Sequence, residues 1–209
     1  MNIDRFAPWY RLVEYLAFGR ALEAGRFVFL DRLATARHIL VLGEGDGRAL
    51  EKLLAVAPTA EVHVHELSGR MIALARQRIG NSGWVSFEQG DARTCIWPPN
   101  RYDGVVTLFF LDCFSEADAA SLIHRIASAM APGGLWLVSD FAIPATSWRR
   151  WHAKTWTWVM YRFFNIATGL GTRSLPAIDK LLSETGLRRL ESAEARFGLI
   201  RSDVWKKPD

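Results

Sequence analysis

The sequence predicts an α/β domain whose mostly parallel, doubly wound sheet of seven strands is closed by a C-terminal antiparallel hairpin. Five β-favouring runs within residues 38–139 are separated by helical patterns, which is typical of right-handed parallel crossovers. The first run ends in three glycines at alternate positions in residues 43–47. Two further runs within residues 187–204 are separated by a short turn, and so short a connection joins antiparallel strands.

The elements follow one another regularly along the chain. The pattern predicts parallel strands at residues 38–42, 61–66, 84–87, 102–109 and 135–139. Helices are expected at about 46–57, 68–79, 115–130 and 175–185, where apolar residues recur at helical spacing. Pro58 and Gly80-Asn81 end the first two helices, and Pro132-Gly133-Gly134 turns the chain into the fifth strand.

A chain of 209 residues suits one domain of this class. We expect a single domain, residues 1–209, made of four parts: an N-terminal helical cap (1–35), a core (36–141), an aromatic helical insertion (142–174), and a C-terminal helix with its hairpin (175–209). Residues 9–33 carry the amphipathic pattern from which the cap is inferred.

Composition excludes several classes of protein. Half of the residues are hydrophobic, which is enough for a packed core. The formal charge of +4 is dispersed, unlike the dense basic patch of a nucleic-acid-binding protein. No apolar run reaches the roughly 18 residues of a membrane span, and no secretory signal is apparent, so a cytoplasmic location is expected.

The cysteines and histidines predict neither a disulfide nor a metal site. Cys95 and Cys113 form no framework of disulfides and are interpreted as small, buried apolar residues. His63 and His65 alternate along the predicted second strand, but no carboxylate or cysteine stands at a metal-ligand spacing from them. His124, on the helix at 115–130, is interpreted as structural.

Four strand ends carry residues suited to one ligand, because ligands of open α/β sheets bind outside the carboxyl ends of the strands. The glycines of residues 43–47 allow close approach to bare backbone. Glu66 can accept hydrogen bonds from a ribose diol, and Asp91 beside the small Ala92 can accept an exocyclic adenine amine. Thr107-Leu108-Phe109 forms an apolar wall for a base or a sulfonium.

Each of these residues also has a structural interpretation. Glu66 is equally typical of a solvated strand end or of a helix cap together with Ser68, and Asp91 of an Asx-turn. The four features occur in order, each at a strand end, and this coincidence favours an adenosyl-type ligand.

These segments resemble the class I S-adenosylmethionine-dependent methyltransferases, which have a Rossmann-like fold. The resemblance covers residues 36–141 and includes Ile39–Gly47, Val64–Ser68 with Met71, Phe87–Ala92, Tyr102–Thr107 and Ala131–Asp140. Within the family, the chain is similar to the ubiquinone- and menaquinone-type small-molecule enzymes, through Arg5–Tyr10 and the Gly186–Leu190 turn into a strand.

The resemblance implies S-adenosyl-L-methionine as cofactor and a role for each segment. The glycine loop would contact the methionine portion, Glu66 the ribose, and Asp91-Ala92 the adenine. The implied cofactor-binding set is Gly43, Glu44, Gly45, Asp46, Gly47, Glu66, Leu67, Met71, Asp91, Ala92, Thr107, Leu108 and Phe109.

One position departs from the family pattern. An acidic residue usually stands two positions before the first glycine, and here Val41 occupies that place. Glu44 and Asp46 could supply the carboxylate to the methionine ammonium, or they could be solvated or cap the following helix.

Methyl transfer depends largely on alignment in a dry site, and a base helps when the acceptor is protonated. Asp112, in an apolar segment beyond the fourth strand, is placed where related enzymes meet the acceptor; alternatively, Asp112 or Ser115 caps the next helix. Tyr10 could close over the cofactor or be an ordinary packed tyrosine, and His152 is a third catalytic candidate.

An aromatic segment stands out beyond the core. Four of the nine tryptophans fall within residues 148–158, with Arg162 at the end of the same helical face. This helix could pack on the sheet edge, form a lid over an apolar acceptor, or touch a lipid surface.

The sequence therefore predicts a cytoplasmic methyltransferase that acts on a small, aromatic or apolar acceptor, with no specific nucleic-acid partner and no metal. Peripheral membrane contact is compatible with the aromatic helix, and the oligomeric state is not indicated. Two alternatives stay open. One is a nucleic-acid or protein methyltransferase; the other is a non-catalytic module that binds S-adenosylmethionine.

Overall fold

The computed structural model describes residue 25 and residues 27–80, 82–142, 176–195 and 198–209. Within these described residues, four α-helices have the bounds α1 Arg48–Val56, α2 Gly69–Ile79, α3 Glu116–Ala129 and α4 Ile178–Glu184. The strands are β1 His38–Leu42, β2 Glu61–Glu66, β3 Val85–Gln89, β4 Tyr102–Leu108, β5 Met130–Phe141, β6 Arg188–Ala195 and β7 Ile200–Lys206. Single 3₁₀ turns cover Leu30–Leu33 and Leu111–Cys113.

All seven strands join one sheet in the order β3-β2-β1-β4-β5-β7-β6. Strands β1 to β5 pair in parallel, and β7 runs antiparallel to both β5 and β6. The structure thus confirms the predicted mostly parallel sheet with its C-terminal antiparallel hairpin.

The largest difference from the predicted elements is at β5. It begins at Met130, whereas the sequence pattern predicts a turn at Pro132-Gly133-Gly134. The strand is irregular at this turn: Met130 pairs with Tyr102, and the register with β4 then shifts before the pairing resumes at Leu135 and Gly104. The amide of Gly133 then donates to the Lys207 carbonyl over 3.1 Å, and the amide of Lys207 donates to the Gly134 carbonyl over 2.9 Å. The C-terminal segment therefore pairs with the glycine-rich stretch, in which Gly133 keeps a left-handed φ of +72°.

Apolar side chains cover both faces of the sheet. Strand β1 is buried from Ile39 to Leu42, as a central parallel strand must be when helices cover both faces. Leu40 and Leu42 pack in the cluster that includes α3 and α4, whereas Ile39 and Val41 pack in the cluster that includes α1. This alternation follows from the two-residue period of a strand.

The chain reverses its direction of travel across the sheet at β1. Strands β2 and β3 lie on one side of β1, and β4 and β5 lie on the other. The carboxyl ends of β1 and β4 therefore form the crevice where ligands of such sheets bind. Gly43 and Phe109 follow these two strands directly.

Several predicted features lie outside the described residues. They are Tyr10, His152, most of the N-terminal cap and the aromatic segment at 148–162. Their proposed roles, the lid among them, stay predictions. Within the described part of the chain, no helix is long and apolar enough to cross a membrane.

Candidate active site

The glycine loop after β1 has a backbone that only glycine adopts readily. Gly43, Gly45 and Gly47 have φ angles of +68°, +71° and +87°. A Cβ on Gly43 would lie 2.4 Å from the Phe110 ring, and a Cβ on Gly47 would lie 2.7 Å from Ala75 Cα. A Cβ on Gly45 would meet nothing within 4 Å. The outer glycines are therefore packed against protein, and the middle one faces open space.

This difference predicts unequal costs for two alanine substitutions in the loop. Gly47→Ala combines about 1–2 kcal/mol of left-handed strain with about 1–3 kcal/mol of overpacking against α2. Gly45→Ala carries only the strain. Urea denaturation should show the larger loss of unfolding free energy for Gly47→Ala, and equal losses would contradict the packing described.

The carboxylate of Glu66 connects the glycine loop to α2. Its Oε2 accepts from the Gly45 amide over 3.1 Å, and its Oε1 accepts from the Ser68 amide over 3.0 Å. Ser68 is the N-cap of α2, and its Oγ accepts from the Met71 amide over 3.2 Å. Because a carboxylate has about four lone-pair sites, Glu66 retains acceptor capacity for a diol beside Gly45.

The two acids inside the loop contact the neighbouring helices. Glu44 Oε1 accepts from the Leu50 amide over 2.8 Å in the first turn of α1. Asp46 forms ion pairs with Arg48 over 3.0 Å and with Arg78 over 3.2 Å. The structure therefore favours the capping and pairing roles of these acids. Val41 is buried in the core, as an apolar residue would be.

Asp91 is bound by its near neighbour Arg93. The Arg93 guanidinium contacts Asp91 Oδ2 over 2.6 Å, and the Arg93 amide donates to Oδ1 over 2.9 Å. This is the Asx-turn arrangement that the sequence left open. The hydrogen bond from Arg93 lowers the pKa of Asp91 below its usual value. An adenine amine would have to share this carboxylate with Arg93.

The remaining residues of the implied cofactor-binding set differ in their exposure. Ala92 and Met71 are buried, and Leu67 is 37% exposed. Thr107 is fully buried, and its Oγ1 accepts from Trp136 Nε1 over 2.9 Å. The Thr107 hydroxyl thus connects two strands inside the sheet.

The exit from β4 is strained and aromatic. Phe109 has a φ angle of +55°, which is rare for a bulky residue and is found most often where structure serves function. Its amide donates to the Ser139 carbonyl over 2.6 Å, which holds this conformation. The Phe109 ring lies 5.1 Å from that of Phe141, and the Phe110 ring 5.0 Å from that of Phe114.

A pair of buried carboxyl groups lies beside these rings. Asp112 is 7% exposed and Asp140, at the end of β5, is 4% exposed. The two carboxyl groups lie close enough to affect each other's ionisation, and Asp140 Oδ1 accepts from the Phe110 amide over 3.0 Å. Ser115, and not Asp112, is the N-cap of α3. The structure therefore decides against the capping role of Asp112.

Burial dominates the electrostatics of this pair. It raises the pKa of Asp112 to about 6 and the pKa of Asp140 well above its usual value. Two carboxylates in contact cannot both be ionised at low cost, so the pair shares a proton near neutral pH. The sequence reasoning missed Asp140 as a partner, since nothing in the chain order shows that β4 and β5 end side by side.

Asp140 and Phe141 also line a cavity of about 290 Å³. Other walls are Pro176, Ile178 and Arg201. One oxygen of Asp140, Oδ2, is buried and has no hydrogen-bond partner. An unpartnered polar atom of this kind costs free energy unless a ligand or water satisfies it.

The raised pKa values predict how pH affects stability. The folded chain holds more protons on this pair than the unfolded chain does, so the pair's contribution to stability falls as pH rises from about 4 to about 6. Asp112→Asn should therefore become more stable relative to the wild type over this window, by about 1.4 kcal/mol for each unit of pKa shift. Chemical denaturation of both proteins at several pH values measures this difference, and a constant difference would contradict it.

The structure also brings together residues that their spacing in the sequence keeps apart. Cys95 Sγ lies 2.8 Å from His65 Nε2, and Glu88 Oε2 lies 3.7 Å from His65 Nδ1. Both cysteines are free thiols. His124 lies on the exposed face of α3.

Comparison with known proteins agrees with the fold. The model of a methyltransferase domain family matches residues 39–134. The ubiquinone/menaquinone biosynthesis C-methyltransferase UbiE of Pseudomonas aeruginosa is 31% identical over 124 residues, or 56% of this chain and 47% of the relative. The chain thus spans about half the length of this relative.

A second curated relative aligns over nearly its whole length. The 2-phytyl-1,4-naphtoquinone methyltransferase of Thermosynechococcus vestitus is 26% identical over 98% of this chain and 96% of its own. Among solved structures, a Burkholderia thailandensis 1,6-didemethyltoxoflavin-N1-methyltransferase superposes with a TM-score of 0.69 at 16% identity. That match covers 99% of this chain and 87% of the other. At such low identity, this likeness concerns the fold.

The sheet order, the glycine loop at its switch point and the matched family model agree with one another. On these grounds the chain has the class I methyltransferase fold and resembles the UbiE-type S-adenosylmethionine-dependent enzymes.

Proposed function

We propose that the protein transfers the methyl group of S-adenosyl-L-methionine to a small acceptor with an apolar or aromatic ring. The carboxyl pair Asp112–Asp140 carries this proposal, because it lies among phenylalanine rings where β4 and β5 end. The quinone-type relatives support an acceptor of this kind.

The described residues fit the proposed cofactor at the loop and the ribose position. The open space at Gly45 lets a ligand lie against the backbone, and the Glu66 carboxylate beside Gly45 can accept hydrogen bonds from a diol. Leu67, just before α2, and Met71, in the first turn of α2, supply apolar side chains near Glu66. The cofactor, when bound, supplies an electrophilic methyl group on its sulfonium.

The chain's own residues would do three things in this reaction. The glycine loop and Glu66 would fix the cofactor's orientation, and the phenylalanines would exclude water from the transfer path. Asp112, with its raised pKa near the working pH, would take the acceptor's proton. Asp140 would hold the shared proton and so keep Asp112 in position.

A methyl-transfer assay with labelled S-adenosylmethionine tests the proposal. The acceptors should include naphthoquinols, other phenols and small amines, with nucleic acid and denatured protein in parallel reactions. We expect label in the organic extract of a small aromatic acceptor. Label only in nucleic acid or protein would favour the rival enzyme class. Cofactor binding without turnover of any acceptor would favour the binding module.

Tyr10, His152 and the aromatic helix enter the proposal only as candidates for closing the site. Their roles and the cytoplasmic location stay predictions from the sequence. The same assay, run on Tyr10→Phe and His152→Gln, measures what each contributes.

A further inference from the structure

Three side chains of the types that bind metals come together from separate segments on one face of the sheet. His65 of β2 is in register with Glu88 of β3, and Cys95 lies in the loop after β3. One donor atom from each lies within 4.8 Å of the others. We propose that His65, Glu88 and Cys95 bind a divalent transition-metal ion of the zinc type, at a site separate from the methyl-transfer centre.

Two of the donor distances are close to those of a tetrahedral centre. His65 Nδ1 lies 3.7 Å from Cys95 Sγ and 3.7 Å from Glu88 Oε2, while Cys95 Sγ lies 2.8 Å from the other ring nitrogen, Nε2. Bonds of about 2.0–2.3 Å to zinc in tetrahedral geometry separate neighbouring donor atoms by about 3.5 Å. An ion bound through Nδ1 therefore requires the Cys95 side chain to move from beside Nε2 toward Nδ1.

The donor set selects the class of metal. A thiolate and an imidazole favour zinc and similar transition metals, whereas magnesium and calcium prefer oxygen ligands throughout. On binding, the Cys95 thiol gives its proton to the solvent and its sulfur forms the bond to the metal. Three protein ligands leave one tetrahedral position for water.

Surrounding contacts already hold the ligands in place. The His65 ring hydrogen-bonds to the Gly90 backbone, which is the kind of second contact that orients metal-binding histidines. His63 Nε2 lies 3.1 Å from Glu88 Oε2, and its Nδ1 lies 2.9 Å from the Tyr102 hydroxyl. Polar neighbours thus support both His65 and Glu88.

Burial differs among the ligands in a way that suits metal entry. The side chain of His65 is 1% exposed, whereas that of Glu88 is 58% exposed. The ion can enter from the Glu88 side and reach a preorganised histidine. Arg125 donates to the Cys95 carbonyl, so the backbone of the third ligand is also fixed.

The site would tie the loop after β3 to β2. That loop carries Asp91 and Ala92, and His65 immediately precedes Glu66 in the chain. Neighbouring residues of a strand point to opposite faces, so the metal would lie on the face opposite Glu66. A bound ion would therefore stabilise the loop, and with it the fold, without occupying the crevice at the glycine loop.

Cobalt(II) is a direct probe of the proposed site, since thiolate coordination gives it an intense near-ultraviolet charge-transfer absorption. The whole purified chain, freed of metal with a chelator and kept reduced by a phosphine, is titrated with cobalt and then with zinc. We expect one equivalent of cobalt to produce the absorption and zinc to remove it. Zinc should also raise the Tm, because it binds the folded chain preferentially.

Cys95→Ser should abolish the absorption, and Cys113→Ser, the matched control at the other cysteine, should leave it intact. His65→Gln should weaken cobalt binding at least tenfold. Absence of the absorption in the wild type, or its persistence in Cys95→Ser, overturns the proposal. If Cys95→Ser fails to fold, alkylation of the wild type decides: zinc but not magnesium should slow modification of Cys95, and an unchanged rate overturns the proposal.

Discussion

Asp112→Asn is expected to lower the rate of methyl transfer by about 10²–10⁴-fold, the usual contribution of a positioned general base. The asparagine keeps the size of the side chain and removes the group that takes the proton. Binding of S-adenosylhomocysteine should change little, because Asp112 lies beyond β4 and Glu66 lies at the end of β2. Steady-state kinetics and calorimetry on the same preparation measure the two effects.

The pH profile separates a base from a structural carboxyl group. In the wild type, kcat/KM should rise through an apparent pKa of about 6, where Asp112 loses its proton. In Asp112→Asn the residual rate should show no such rise. Glu116→Gln, which changes an exposed acid in the first turn of α3, should keep the wild-type profile. A profile that persists in Asp112→Asn would refute the role of this residue as base.

Glu66→Ala is expected to weaken cofactor binding by about 1.5–3 kcal/mol, or roughly 10- to 150-fold in Kd. The substitution removes the acceptor for the ribose diol and leaves the Gly45 and Ser68 amides without their carboxylate. Calorimetry with S-adenosylhomocysteine measures the loss.

A cofactor analogue without the ribose hydroxyls distinguishes the two causes. If Glu66 binds the diol, the wild type should bind this 2′,3′-dideoxy analogue weakly, and Glu66→Ala should change its affinity much less than that of S-adenosylhomocysteine. Equal losses for both ligands would mean that Glu66 only shapes the glycine loop.

The sheet could be predicted from the sequence because its signals are local. The β1 run is apolar from Ile39 to Leu42 and is followed by glycine, and β2 was predicted with its observed bounds, Glu61–Glu66. The bounds of β5 were predicted less well. The residues Pro132-Gly133-Gly134 are typical of a turn, but backbone hydrogen bonds to Lys207 make them part of the strand.

The candidate site was predictable only where a single strand end carries the chemistry. Glu66 and the glycine loop are examples, since each is positioned by its own strand. The pairing of Asp112 with Asp140 and the meeting of His65 with Cys95 depend on neighbouring strands and loops, which chain order does not reveal. Arg93 stands two residues after Asp91 in the sequence, yet only the structure shows that its guanidinium hydrogen-bonds to the Asp91 carboxylate.

We propose that the crevice at Gly45 and Glu66 holds S-adenosylmethionine. Calorimetric titration of the purified chain with S-adenosylhomocysteine tests it most directly. We expect one saturable site per chain with a Kd in the micromolar range, and a weaker Kd in Glu66→Ala. An absence of binding at millimolar concentrations of both S-adenosylhomocysteine and S-adenosylmethionine would contradict it.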